Sequence, residues 1–472
     1  MDGRGDRTSS RITGVDIARG LALLGILLVN ARLFFLPLGF AVDPSIEVPG
    51  LEATAADRVA WNVVETLCTF KFISLFSMLF GFGIAVQAAR AAAAGRSRWG
   101  GGLRRLAVLL PIGLLHGFLV WYGDVLAMYA LLGVVVLAAS RLSPRKALLA
   151  ALLAASVGVA LIVAGSALRV LAESFPEAAT GREVAEVEVV PPEVAEFEVA
   201  EFEVAEFEVA EFEAAEAEAI ELAKSASDLD EGAAAAPPPR GWRAIVDAGF
   251  DPADRVFVEA EIAATREGPF LDALVFRSFS YASGLVISLF SYAWHALAMM
   301  LVGVWAHASG LFAAEGSARR RRLARWALPT GLALSLLAVL PKTILADDGT
   351  AAATTGIDIA HALFLELGAL VLPLGYAAAI VEWGPRLPSI LATALARTGR
   401  MSLTVYLSES LVATALASWW GLGWFATMGD ARLCLLAIGL WAALVVVASW
   451  WLGRFTTGPL ERLWRRLAGA HR

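Results

Sequence analysis

Val15-Asp16-Ile17-Ala18-Arg19-Gly20-Leu21-Ala22-Leu23-Leu24-Gly25-Ile26-Leu27-Leu28-Val29-Asn30, apolar onward to residue 39, is the stretch on which the fold turns. A membrane-crossing helix needs roughly 20 mainly apolar residues, and this run supplies them. It is too long for a signal-peptide core and contains Asp16, Arg19 and Asn30, so it reads as an uncleaved first helix. Working outward, similar stretches fall at 62–89, 104–122, 124–141, 147–171, 279–309, 323–342, 357–382, 399–419 and 431–453. The expected fold is therefore an all-α, polytopic integral membrane bundle of about ten helices. Composition agrees, at 58% hydrophobic, 18% charged and a mean hydropathy of +0.67, which excludes an ordinary soluble globular domain.

Arginine and lysine mark the side that stays in the cytoplasm. They cluster before the first span (Arg4, Arg7, Arg11), between the second and third (Arg90, Arg96, Arg98, Arg104, Arg105), and between the fourth and fifth (Arg141, Arg145, Lys146). The alternation continues through Arg319 to Arg322 with Arg325, then Arg386, Arg397 and Arg400, and the tail Arg454, Arg462, Arg465 and Arg466. Intervening loops carry acid: Asp43, Glu47, Glu52, Asp57, Asp347 and Asp348. The pattern predicts an even number of spans with both termini cytoplasmic. The formal net charge of -7 hides this asymmetry. A basic cytoplasmic face suits anionic lipid heads or the phosphates of a cytosolic donor.

The chain divides into an N-terminal half of five helices (1–171), an external insert (172–276) and a C-terminal half of five helices with a basic tail (277–472). Within the insert a low-complexity acidic region, 183–231, repeats Glu-Phe-Glu-Val-Ala, visibly from Glu196 to Phe212. A period of five matches neither helix nor strand, so its apolar residues spiral round the surface and build no core. It reads as an expanded insert or an acidic partner-binding arm. Pro237, Pro238 and Pro239 stop any helix before them. Beyond them Trp242 to Phe270, with Val256, Val258 and Ile262, suggests an amphipathic piece covering the outer mouth of the bundle.

Ionisable groups inside spans are costly and are the default functional candidates. By depth, Glu65, His116, Asp124, Arg277, Asp358 and His361 fall in the outer half. Asn30, Lys71, His295 and Glu409 fall near the middle, and Asp16, Arg19 and Arg400 at the cytoplasmic edge. The tight third-to-fourth hairpin brings His116 close to Asp124. A carboxylate beside an imidazole fixes its tautomer and raises its basicity, as a general base requires; a helix N-cap by Asp124 is the plainer reading. Asp16 and Arg19 share a helix face and pair or hold a phosphate. Lys71 is deep, with Glu65 or Glu409 as partner unless it snorkels outward. Asp358, His361 and Glu366 would add to the outer cluster. His295 and His307 read as packing residues or a proton path, and His471 as inert.

Other motifs are bland. Gly81 and Gly83 suit close helix packing. No Walker or dinucleotide pattern is present, nor His-Glu-x-x-His or Cys-x-x-Cys spacing. Neither a metal, a bound cofactor nor a nucleic-acid partner is expected. Cys68 and Cys434 sit near or within membrane and imply no disulfide framework.

Together these stretches resemble the bacterial YeiB-like membrane proteins that carry domain of unknown function 418. The resemblance rests on Val15 to Asn30, Phe72 to Gly83, Leu115-His116-Gly117 through Gly123-Asp124-Val125-Leu126-Ala127-Met128-Tyr129-Ala130, Gly399-Arg400-Met401-Ser402-Leu403-Thr404-Val405-Tyr406-Leu407, and Gly458-Pro459-Leu460-Glu461-Arg462-Leu463-Trp464-Arg465. That family is similar to the transmembrane acyltransferases, among them the lysosomal heparan-alpha-glucosaminide N-acetyltransferase and the acyltransferase-three proteins. The kinship implies acyl transfer across a bacterial plasma membrane, from an acyl-CoA donor to a hydroxyl or amine on a small-molecule, lipid or glycan acceptor. Acyltransferase-three proteins use a His near the end of the first helix, where this chain has Leu27-Leu28-Val29-Asn30. The glucosaminide enzyme's His follows its first helix, where this chain has none. The task would pass to His116 with Asp124. Asp16, Arg19, Asn30, Lys71, Arg400, Tyr406, Glu409, Asp358 and His361 would contact substrate, Arg19 and Arg400 as donor-phosphate ligands. A proton-coupled transporter or flippase, or a non-catalytic membrane scaffold, would fit the same residues.

Overall fold

A computed structural model describes residues 6–42, 46–174, 239–345 and 351–469. The repeat at 183–231, Arg4, Asp43, Asp347, Asp348 and His471 lie outside the described residues. The described residues up to 170 and from 239 onward belong to one compact unit. Among the described residues there are only helices and loops. Eight helical stretches are long and apolar enough to cross a membrane, and two shorter apolar helices, Leu126–Ala139 and Ser402–Ala417, join them. The chain is a multi-pass membrane helix bundle of about ten spans, as expected.

Backbone breaks refine that picture. The span anticipated at 62–89 is α3 (Ala55–Leu67) followed by α4 (Lys71–Ala93), with Phe70 in the left-handed region at φ 61°. The span anticipated at 279–309 is two helices, α10 (Phe270–Phe290) and α11 (Tyr292–Ala308), with Ser291 between them at φ -125° and ψ -89°. One residue is too short to reverse two packed helices, so the chain bends there. α10 also begins inside the segment assigned to the insert, because Phe270 onward is apolar enough to join the bundle. The stretch 399–419 divides at Met401, between α14 (Ser389–Arg400) and α15 (Ser402–Ala417).

The first helix, α1 (Asp6–Phe35), is central and packs against α4, α13 (Ala351–Trp383), α14, α15 and α16 (Asp430–Arg454). Ile17, Ala18, Ala22 and Leu23 are fully buried along it. Its crossing with α14 depends on absent side chains. A Cβ on Gly20 would strike the Leu395 carbonyl, and one on Gly399 the Asp16 carbonyl. α4 and α11 cross in the same manner, Gly81 against the Met300 carbonyl and Gly303 against that of Met78. Small residues bringing backbones together are how helices associate where lipid offers no hydrophobic contrast.

Two features fix the ends. At one end the tail helix α17 (Pro459–Leu467) docks through Glu461, which accepts from the Leu403 and Thr404 amides at 2.9 and 3.0 Å. Trp464 donates to the Arg105 carbonyl there. At the other, α8 (Trp242–Asp247), α9 (Arg255–Arg266) and the start of α10 form a cap around Ala244, Ile245, Phe257 and Phe276. Asp254 caps α9 through the Val256 amide. The cap is pinned where buried Glu261 accepts the Leu38 amide at 3.0 Å, beside α2 (Leu38–Val42), and where the Trp419 amide reaches the Thr265 carbonyl at 2.8 Å.

Candidate functional site

α5 (Arg98–Leu119) and α6 (Leu126–Ala139) form the anticipated hairpin. Gly113 allows it, since a Cβ there would strike the Ala127 amide. At about 1.5 Å per residue, α6 is roughly 21 Å long, short of the roughly 30 Å hydrocarbon core. Irregular backbone at membrane depth must be satisfied by protein, and the 119–125 turn is. Arg277 donates to the Leu119 carbonyl at 2.7 Å, Thr414 to that of Val120 at 3.3 Å, and Tyr122 and Trp121 both reach the Leu33 carbonyl.

Within this turn His116 and Asp124 meet. His116 Nδ1 lies 2.9 Å from Asp124 Oδ1, and the two side chains are 4% and 0% exposed. Asp124 Oδ2 accepts the Ala127 amide at 3.0 Å, so one carboxylate both orients the imidazole and caps α6. With Nδ1–H donating to the carboxylate, Nε2 carries the lone pair. That nitrogen is buried and has no hydrogen-bond partner among the described residues. The Tyr406 ring lies 5.5 Å away and Trp121 closes another edge at 6.4 Å. Tyr406 Oη lies beside the Val125 backbone without a hydrogen bond of good geometry, and within electrostatic reach of Asp124 and Glu409. Glu409 Oε1 and Tyr281 Oη are likewise buried without partners. A Cβ on Gly117 would strike the Tyr281 ring, which is why glycine follows His116. Unsatisfied buried polar atoms are rare in folded proteins and call for a functional explanation.

Other predicted residues fall into two further groups. Asp16 pairs with Arg19 at 3.1 Å, Arg19 also donates to the Leu79 carbonyl, and Arg400 lies within electrostatic reach of Asp16. Arg19 is 26% exposed at its side chain, and Arg400 is exposed and bonded to the Thr456 carbonyl. In sequence these cations flank Gly20 and Gly399, the two glycines of the α1–α14 crossing.

The second group surrounds the α3–α4 break. Lys71 has no exposed surface; it does not snorkel, and it donates to the Glu65 carbonyl at 2.9 Å rather than pairing with Glu409. His361 does not join the His116 cluster. Its Nε2 lies 3.4 Å from Glu65 and its Nδ1 meets the Ala338 carbonyl at 3.1 Å, because it sits on the face of α13 that turns toward α3 and α12 (Ser317–Leu345). Asp358 is exposed three residues earlier. Asn30 is half-buried on α1 and its side chain makes no hydrogen bond among the described residues. Gly83 faces Arg19, and His307 packs edge-on to Phe82. Among the described residues no three His, Cys, Asp or Glu side chains gather as metal ligands. A shallow groove of about 430 Å³ opens between α8 and α10 around Trp242, Phe250 and Phe279; its lining carries no titratable group.

Sequence reasoning missed two constellations. Arg32 makes a bidentate pair with Asp430 at 2.7 and 2.9 Å, under the Trp61 ring at 3.6 Å. An Arg near the end of the first span and an Asp opening the last were the available signal. The second is Ser74, His295 and Glu366, drawn together from α4, α11 and α13.

Residues 306–471 match a family described as a protein of unknown function, DUF418. Over 462 residues, 96% of this chain and 95% of the relative, the chain is 26% identical to the uncharacterized protein YeiB of Escherichia coli (strain K12). It is 38% identical to the uncharacterized protein YxaH of Bacillus subtilis (strain 168) over 148 residues, 30% of this chain and 36% of that protein. No solved structure matches the chain.

Proposed function

We propose, on the premise that this chain belongs to the YeiB-like DUF418 family, that it is a membrane-embedded acyltransferase with His116 as its general base. The observation that carries this reading is an imidazole held by a carboxylate at Nδ1 and left buried and unpartnered at Nε2. The acceptor's hydroxyl or amine gives its proton to Nε2 as its oxygen or nitrogen attacks the acyl carbonyl carbon. The carbon–sulfur bond of an acyl-CoA-type donor then breaks, and the leaving thiolate takes that proton back from the imidazolium. Asp124 remains a carboxylate and steadies the transient cation. Tyr406 Oη, with no hydrogen bond of its own, supplies a donor for the oxyanion. Arg19 on α1 and Arg400 at the end of α14 offer positive charge for donor phosphates.

The test is acyl transfer from labelled acetyl-CoA to lipid or sugar extracts by reconstituted protein. Removing a general base costs roughly 10²–10⁴-fold in rate, so His116→Ala should fall by that factor. Equal activity in the variant refutes the assignment.

A further inference from the structure

We infer that α4, α11 and α13 enclose a proton-binding site, built from Ser74, His295 and Glu366, which holds one proton more than a neutral imidazole with an ionised carboxylate would. The three residues are 0%, 2% and 9% exposed. His295 Nδ1 lies 2.7 Å from Glu366 Oε1, and its Nε2 lies 2.5 Å from Ser74 Oγ. Ser74 Oγ also makes a short hydrogen bond to the Phe70 carbonyl one turn earlier.

Counting hydrogens decides the protonation. A carbonyl only accepts and a serine has a single hydroxyl hydrogen, so the contact with Phe70 requires that Ser74 donate there. Ser74 then presents a lone pair to His295, and Nε2 must be the donor. That leaves Nδ1 facing Glu366 in one of two ways. Either Nδ1 is also protonated against a carboxylate, or it accepts from a carboxylic acid. Both hold the same extra proton. A serine nucleophile would need the reverse, with Ser74 donating to a bare Nε2.

Of the neighbouring titratable groups, Tyr292 stacks its ring on His295 at 5.7 Å and Tyr129 of α6 reaches Ser77 at 2.5 Å, while Lys71 and His361 turn instead to the Glu65 carbonyl and carboxylate. The Asp16 and Arg19 pair meets α4 further along, at the Leu79 carbonyl. The proton is tied to the backbone bend. When it leaves, Nε2 becomes an acceptor and the Ser74 hydroxyl swings to it, abandoning the carbonyl of Phe70 at the left-handed break. This site lies apart from the His116 centre and stands whether or not acyl transfer does.

The experiment is nuclear magnetic resonance of the full chain in lipid nanodiscs, uniformly labelled with ¹⁵N-histidine. His295 is assigned by its loss in His295→Gln and by its shift in Glu366→Gln, which keeps the ring. At neutral pH the wild type should show a protonated Nε2. It should also show either a protonated Nδ1 or an infrared carboxylic-acid band that Glu366→Gln removes. A bare Nε2 with a protonated Nδ1 and no such band overturns the inference.

Discussion

Raising the pH should loosen the cap that α8 and α9 place over the bundle. Glu261 is 5% exposed, accepts the Leu38 amide at 3.0 Å, and has no paired cation among the described residues. Burial pushes its carboxyl up from 4.5 to about 7, against the smaller opposing effect of the Leu38 hydrogen bond. Between those values the docked carboxyl keeps a proton that a hydrated, undocked one has released. Docking is therefore strongest below the unfolded value and weakens as pH rises through the folded one. The interval from 4.5 to about 7, at about 1.36 kcal/mol per pH unit, amounts to about 3 kcal/mol. Hydrogen exchange of the 255–266 amides, with the intrinsic pH dependence divided out, should show local opening growing on the order of a hundredfold between about pH 5 and pH 8. Glu261→Gln accepts the same amide at every pH and should be flat. If wild type and variant give the same profile, Glu261 is not what couples the cap to protons.

Two further perturbations separate packing from pairing. Asp430→Ala leaves the buried Arg32 guanidinium facing only aromatic rings, and should cost about 3–5 kcal/mol, read as a fall in the detergent unfolding midpoint; no change would mean that the pair contributes nothing net. Gly303→Ala drives a methyl into the Met78 carbonyl, whereas a Cβ on Gly284 would meet nothing within 4 Å. The first should destabilise, while Gly284→Ala should gain up to about 1 kcal/mol from helix propensity; equal effects would disprove the close α4–α11 crossing.

The bundle was legible because apolar run length is a local property, and the His116 hairpin because eight residues with a tight turn leave the two side chains little choice. What escaped was set by distance or by geometry without a local cause. Arg32 and Asp430 lie 398 positions apart, and His295 and Glu366 lie 71 apart. No periodicity within one helix announces such meetings. The bends at Phe70 and Ser291 have neither glycine nor proline at the break, so the usual punctuation is missing. Asp358 and His361 lie three residues apart, a spacing that suggests one common face. Spacing does not say which neighbour that face meets, and it meets α3 and α12 rather than α5.

The central position of α1 also sets an order of events in biogenesis. This helix is made well before the surfaces that complete it, which come from Leu395, Gly399 and Asp430. Until α16 is made, Arg32 waits in the membrane without its counter-ion. A chain that stops short of α16 therefore displays an unneutralised guanidinium to the insertion and quality-control machinery, and only a chain that includes Asp430 conceals it.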